Sequence, residues 1–314
     1  MTSPFDPNVT TYNHEAAKVL CDASRIAYSD EATCRAWAIA NGFKEDFQFI
    51  DTSHLDPMTD TQGFVAQSPD VLLVVFRGTE PRHIADVTSD ADAIRFAVWD
   101  KSNLGEVHGG FFRAFFAAWG KLFGGRKVFP DMLRNAAPRK IWITGHSLGG
   151  ALAQICAAQT ALRDAIPVHA VYTFGQPRVG DEQFAGALHA ALGARTYRLV
   201  NNQDIVPRVP FFTMRYRHFG QELFFSPKGQ QGQSASVENI SAALESLRRL
   251  SSLPTIASAL TGLLGGLLSG DPHTAFLTVE KTLDPRSLLK PGTVYISDHL
   301  MESGYSKLFQ DGTH

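Results

Sequence analysis

Ser147 lies in Gly145-His146-Ser147-Leu148-Gly149, directly after the apolar run Ile141-Trp142-Ile143-Thr144 and directly before an alanine-rich stretch. A serine hydroxyl is a poor nucleophile, so it needs a turn tight enough to present its oxygen to a base and to a substrate carbonyl together. A G-x-S-x-G sequence between a strand and a helix builds such a turn. Gly145 and Gly149 make it possible, because a side chain at either position would crowd the strand against the following helix. The pattern supports attack by Ser147 on an acyl carbon, with Gly145, His146 and Gly149 in supporting places.

Such a serine requires a histidine base and a carboxylate that orients it, expected in the chain order Ser, Asp, His. Asp204 follows the apolar segment Arg198-Leu199-Val200, and Pro207 stops that strand from continuing, so Asp204 is the expected acid. Asp181 competes, but Asp181-Glu182-Gln183-Phe184 reads as a helix start with Asp181 as its N-cap. Four histidines follow Asp204: His218, His273, His299 and His314. His299 ends Thr293-Val294-Tyr295-Ile296-Ser297-Asp298, read as a final strand, whereas His273 falls in an atypical segment and His314 at a terminus that frays. His299 is therefore the expected base, with Asp298 pointing elsewhere. His218, among Arg215, Tyr216 and Arg217, reads as a structural hydrogen-bonding residue and stays the alternative.

Attack on an ester builds negative charge on the carbonyl oxygen, which preorganised N–H groups must meet. Leu148 is expected to supply one. The second is expected from Thr79, after the buried strand Val74-Val75-Phe76-Arg77, with Gly78 letting the backbone turn toward substrate.

These residues need elements to hold them. Helical spacing marks His14–Tyr28, Phe111–Phe123, Ala151–Arg163 and Asp181–Leu192. Strand patterns mark Phe47–Ile50, Gly63–Gln67, Val71–Phe76, Lys140–Thr144, Val168–Phe174, Thr196–Val200, Glu222–Phe225 and Thr293–Ser297. Strand and helix alternate, which predicts an α/β fold with a largely parallel central sheet and chemistry beyond the carboxyl ends of its strands. The stretch 226–290 breaks the pattern and reads as an inserted, mostly helical segment. Within it Ile256, Leu260, Leu263, Leu264, Leu267 and Leu268 fall on one helical face that is short for a membrane span.

The 314 residues, 44 % hydrophobic and 19 % charged, suit one elaborated domain with a large core. A net charge of −2 gives no electrostatic reason to expect nucleic acid. Three cysteines, Cys21, Cys34 and Cys156, are too few for a disulfide framework and allow at most one bridge. No dinucleotide, phosphate-loop or metalloprotease signature occurs, so no metal or cofactor is implied. The first residues lack a Sec-type signal, which leaves localisation open between cytoplasmic and a mature secreted form.

Taken together, Phe76-Arg77-Gly78-Thr79, Gly145-His146-Ser147-Leu148-Gly149-Gly150, Thr173-Phe174-Gly175-Gln176-Pro177-Arg178-Val179-Gly180, Asp204-Ile205-Val206-Pro207 and Asp298-His299 resemble the fungal-type (class 3) lipases. The resemblance covers about Leu72 to Phe225 and the strand before His299. It implies an α/β-hydrolase fold and ester hydrolysis, with acyl lipid as substrate and transient contact with a lipid interface. It also implies a lid over 81–99, with Ile84, Val87, Ala91 and Ile94 on one helical face, and a role for Asp86 in orienting Thr79. The lid face is more acidic than a strongly interfacial lipase suggests, and the 226–290 segment has no counterpart. Alternatives with the same chemistry are a short-chain, feruloyl-type or polyester esterase and a phospholipase A1. The alternative from another class is a catalytically silent lipid- or partner-binding module.

Overall fold

In a computed structural model the described residues are 4–53, 61–78, 95–97, 104–120, 128–201, 204, 206–210, 215–225, 231–232, 299, 301 and 304–309. The chain opens with helix α1 (His14–Ile26), whose first turn is capped by the Asn13 side chain accepting from the Ala16 N–H at 2.8 Å. Its buried face is Ala16, Ala17, Leu20, Cys21, Ala23 and Ser24. Because most of these are small, the helix seats closely on the sheet, and Ser24 Oγ lies 3.2 Å from Thr144 Oγ1. Helix α2 (Glu31–Ala40), which the sequence reading did not mark, is capped by Asp30 accepting from the Thr33 N–H at 2.8 Å.

Three antiparallel strands follow: β1 (Phe47–Asp51), β2 (Gln62–Gln67) and β3 (Val71–Phe76). Next come a short antiparallel pair, β4 (Arg95–Ala97) with β5 (Glu106–His108), then helices α3 (Gly109–Gly120) and α4 (Val128–Arg134). Strand β6 (Lys140–His146) leads into α5 (Leu148–Ala158), which continues as a π-helical turn at Gln159–Arg163. Then come β7 (Val168–Phe174), α6 (Glu182–Leu192), β8 (Thr196–Asn201), β9 (Gln221–Phe225) and β10 (Gln231–Gly232). Among the described residues the main sheet orders β1-β2-β3-β6-β7-β8-β9-β10 and is parallel from β3 to β9. The expected α/β architecture and its strands from Phe47 to Phe225 are therefore present, with boundaries moved by a residue or two.

Each face of the sheet carries its own core. On β3, Leu72, Val74 and Phe76 join one cluster with Phe115 of α3 and Leu152 of α5. Val71, Leu73 and Val75 join the other with Leu20 of α1, Trp142 and Tyr172. A strand buried on both faces has no polar alternation, which is why Val71–Phe76 is an unbroken apolar run.

Four expectations fall partly or wholly outside the described residues. Residues 121–123, added to α3 by spacing, and Thr293–Ser297 lie outside the described residues. Of the 81–99 segment only Arg95–Ala97 is described, and it is strand, so the helical reading does not extend to its end; Ile84, Val87, Ala91 and Ile94 lie outside. Of the 226–290 segment only Gln231–Gly232 is described, paired with β9. Cys21, Cys34 and Cys156 are buried and form no disulfide, and burial with Asp30 and Glu31 nearby pushes the Cys34 thiol up to about 11. Among the described residues no helix is long and apolar enough to cross a membrane, and no cluster could hold a metal ion.

Candidate active site

The site lies at the carboxyl end of β6, where the strand stops at His146 and α5 begins at Leu148. Ser147 is the hinge, with φ 56° and ψ −127°, a conformation that costs a residue with a side chain about 1–3 kcal/mol. The surroundings impose it. Ser147 N–H donates to Phe174 O on β7 at 2.9 Å, while Ser147 O accepts from Gly150 N–H at 3.0 Å and Ala151 N–H at 3.3 Å. Gly145 behaves as expected: a Cβ there would lie 2.3 Å from the Gly149 carbonyl group. Gly149 is needed for a different neighbour, because its Cβ would meet Phe76 O of β3 at 2.2 Å. Leu148 is the first residue of α5, so its N–H is among those a helix leaves without an intrahelical partner, at the positive end of the helix dipole.

Asp204 follows β8 and is completely buried. Its Oδ2 accepts from His299 Nδ1–H at 2.9 Å and from the Tyr305 hydroxyl at 2.7 Å, and its Oδ1 accepts from Val206 N–H at 2.9 Å. Three donors satisfy a carboxylate that burial alone would penalise heavily. Tyr305 is fixed in turn, because its oxygen accepts from Asn201 N–H at 3.0 Å. Gly175, with φ +58°, sits against this group: a Cβ there would lie 2.7 Å from Asp204 Oδ2 and 2.9 Å from His299 Nδ1. Only glycine leaves room at that left-handed position.

With Nδ1 carrying the proton toward Asp204, His299 Nε2 holds a lone pair. It is buried and has no hydrogen-bond partner among the described residues, so the Ser147 hydroxyl does not reach it in this conformation. Such geometry is common before substrate binds and tightens afterwards. The His299 ring lies 4.5 Å, centroid to centroid, from that of His146, the neighbour of Ser147 in the chain.

The structure therefore brings His299 to Asp204, and both to the elbow that carries Ser147. Gly78 is there too, since a Cβ on it would fall 3.1 Å from Ser147 Cβ. Thr79, Asp86 and Asp298 lie outside the described residues. The competitors have other occupations. Asp181 caps α6 by accepting from Phe184 N–H at 2.9 Å, as its sequence context predicts. His218 donates through Nε2 to Pro207 O at 2.7 Å, and burial beside Arg198 and Arg178 holds it well below its usual pKa. The sequence reading missed Tyr305 and Tyr28 altogether; neither belongs to a local pattern that signals a site.

The family model described as lipase (class 3) matches residues 73–214. Triacylglycerol lipase OBL1 of Arabidopsis thaliana is 28 % identical over 249 residues, 65 % of this chain and 48 % of that protein. Secreted mono- and diacylglycerol lipase 1 of Fusarium solani is 38 % identical over 119 residues, 38 % of this chain and 34 % of that protein. The chain thus spans about half or less of the curated relatives it matches. Among solved structures, a triacylglycerol lipase whose catalytic centre is formed by a serine protease triad superposes with a TM-score of 0.55 at 26 % identity, covering 69 % of this chain and 81 % of that one. The lipase of Rhizopus microsporus var. chinensis gives a TM-score of 0.52 at 26 % identity, covering 71 % and 82 %. Residues 73–214, which hold the elbow and Asp204, match that lipase (class 3) family model, and the chain has the α/β-hydrolase fold of the fungal lipases it superposes on.

Proposed function

We propose that this protein is a serine carboxylic-ester hydrolase acting on acyl lipids, with Ser147 as nucleophile, His299 as base and Asp204 as the group that orients it. The observation that carries the reading is the buried Asp204–His299 pair, whose Nε2 has no partner among the described residues and whose imidazole lies 4.5 Å, centroid to centroid, from that of His146, the neighbour of a serine held at φ 56°. A buried acceptor without a partner costs about 1–3 kcal/mol, and general-base chemistry gives that cost a use.

In the proposed reaction Ser147 Oγ attacks the ester carbonyl carbon while its proton passes to His299 Nε2. The imidazolium is stabilised by Asp204, and the oxyanion by Leu148 N–H at the head of α5. The Thr79 N–H is the proposed second donor, a role supported by the closeness of Gly78 to Ser147. Collapse breaks the bond to the alcohol, which leaves with the proton from His299. Water then attacks the acyl-enzyme by the same route and releases the acid. Asp86 is proposed to orient Thr79. Likeness to relatives named as triacylglycerol and mono- and diacylglycerol lipases supports acylglycerols as the substrate class.

The test is hydrolysis of p-nitrophenyl esters from acetate to palmitate by wild type and Ser147→Ala, below and above substrate aggregation. The variant is expected to lose about 10⁵-fold or more in kcat. Long-chain preference above aggregation supports a lipase, and short-chain preference points to an esterase. Equal rates for wild type and variant would overturn the serine mechanism.

A further inference from the structure

Behind the proposed triad runs a second hydrogen-bonded chain. His146 is buried at 3 % exposure, its Nε2 lies 2.6 Å from the main-chain oxygen of His299, and its Nδ1 lies 2.9 Å from the Tyr28 hydroxyl. The Tyr28 oxygen also accepts from Gly78 N–H. Tyr28, just past α1, has the Arg77 guanidinium 5.9 Å from its ring centroid.

The direction of every hydrogen bond follows from the groups themselves. A carbonyl only accepts, so His146 Nε2 must carry the proton. A neutral imidazole then has Nδ1 as acceptor, so Tyr28 must donate its hydroxyl proton there and use a lone pair for Gly78 N–H. Burial, reinforced by His299 nearby, holds His146 well below its usual pKa, so the single-proton form that this chain requires is the one present near neutrality.

We infer that Tyr28 and His146 are a positioning pair: through the main-chain carbonyl of His299 they fix the base beside Ser147, and through Gly78 they tie that base to the strand end leading to Thr79. Two tethers then hold His299, one on its ring from Asp204 and one on its backbone from His146. The backbone tether matters because the ring bond alone leaves His299 free to pivot about the carboxylate. The partners come from far apart in sequence, Tyr28 being 118 residues from His146 and His146 153 residues from His299. This role rests on the reading of His299 as base.

The test uses the full chain and four variants: Tyr28→Phe, His146→Leu, His146→Gln and Ser147→Ala. kcat and KM are measured on a soluble short-chain p-nitrophenyl ester, the rate of phosphonate labelling of Ser147 is followed separately, and Tm is recorded. His146→Leu is expected to lower kcat and labelling together by about 10- to 100-fold, the size of effect that misplacing a reacting group by an ångström produces. KM is expected to stay within about twofold, since substrate contacts are untouched. His146→Gln, whose amide N–H can donate to the carbonyl, is expected to recover most of that loss. Tyr28→Phe, the mildest change, is expected to cost about threefold to tenfold, the equivalent of one neutral hydrogen bond. The pairing is overturned if Tyr28→Phe and His146→Leu both keep wild-type kcat, or if Gln loses as much as Leu at equal Tm. Wild-type rates in Ser147→Ala would overturn the underlying reading of the site, a result distinguishable from failure of the pair alone.

Discussion

The proposed nucleophile and the proposed base are held in unlike ways. Ser147 is fixed by its own neighbours in the chain, Gly150 and Ala151, and by Phe174 on the adjacent parallel strand. His299 is fixed by Asp204 at a separation of 95 residues and by His146 at 153, with Tyr305 standing behind Asp204. The first arrangement is a rigid strand–turn–helix whose geometry is written into about ten consecutive residues. The second is assembled only when distant segments meet. Damage to the elbow therefore strikes fold and chemistry together, whereas removing one tether of His299 weakens chemistry and leaves the sheet intact.

Asp204→Asn probes the second arrangement most severely. It replaces the acceptor that fixes the His299 tautomer, and kcat should fall by about 10⁴-fold with little loss of Tm, as steady-state kinetics and thermal melts would check. Gly149→Ala probes the first: a Cβ pressed to 2.2 Å from Phe76 O forces α5 away from β3, and urea denaturation should show a loss of about 3 kcal/mol along with lost activity. If the protein tolerates this change, the elbow is not the rigid half. Tyr305→Phe removes one of three donors to a buried carboxylate and should lower kcat by about 10- to 100-fold, in line with about 1.5–3 kcal/mol for a hydrogen bond to a charged group.

The smallest effect is on pH dependence of stability. His146 is buried and neutral, with its pKa in the folded protein depressed below the ordinary value of 6.5, so below about pH 6.5 the unfolded chain binds a proton that the folded chain refuses. Its contribution is present above that pH and lost as pH falls, at up to about 1.4 kcal/mol per pH unit. Urea midpoints at pH 7, 6 and 5 should decline for wild type and decline less steeply for His146→Gln.

The elements that local pattern can specify were legible in the sequence. The β6–α5 elbow and the two-faced apolar run of β3 follow from side-chain period and glycine placement alone. Asp204 and His299 were legible because an acid after a strand and a histidine after a later strand are positions the chemistry requires, and the structure puts them 2.9 Å apart. Tyr28, Tyr305 and the close approach of Gly175 were not, since each owes its role to residues more than a hundred positions away or to a loop packed over it. Helix α2 was missed because its ten residues carry only Cys34, Trp37 and Ala38 as a buried face, too few for a clear period. The role of Gly149 was assigned to the wrong neighbour, because sequence adjacency to β6 hides the fact that β3 is what it touches.

The antiparallel hairpin of β1 and β2 has a consequence for solubility. It covers the outer edge of β3, whose six residues Val71-Leu72-Leu73-Val74-Val75-Phe76 are all fully buried and carry no charge, proline or glycine. An unpaired apolar strand of that length is a template for edge-to-edge association. Any fragment trimmed to the family-matched residues 73–214 would shed the hairpin, along with Tyr28, Val71 and Leu72, and present the remaining Leu73–Phe76 of β3 bare to its neighbours. The hairpin thus protects the sheet against aggregation, and expression limits drawn for this protein should keep it.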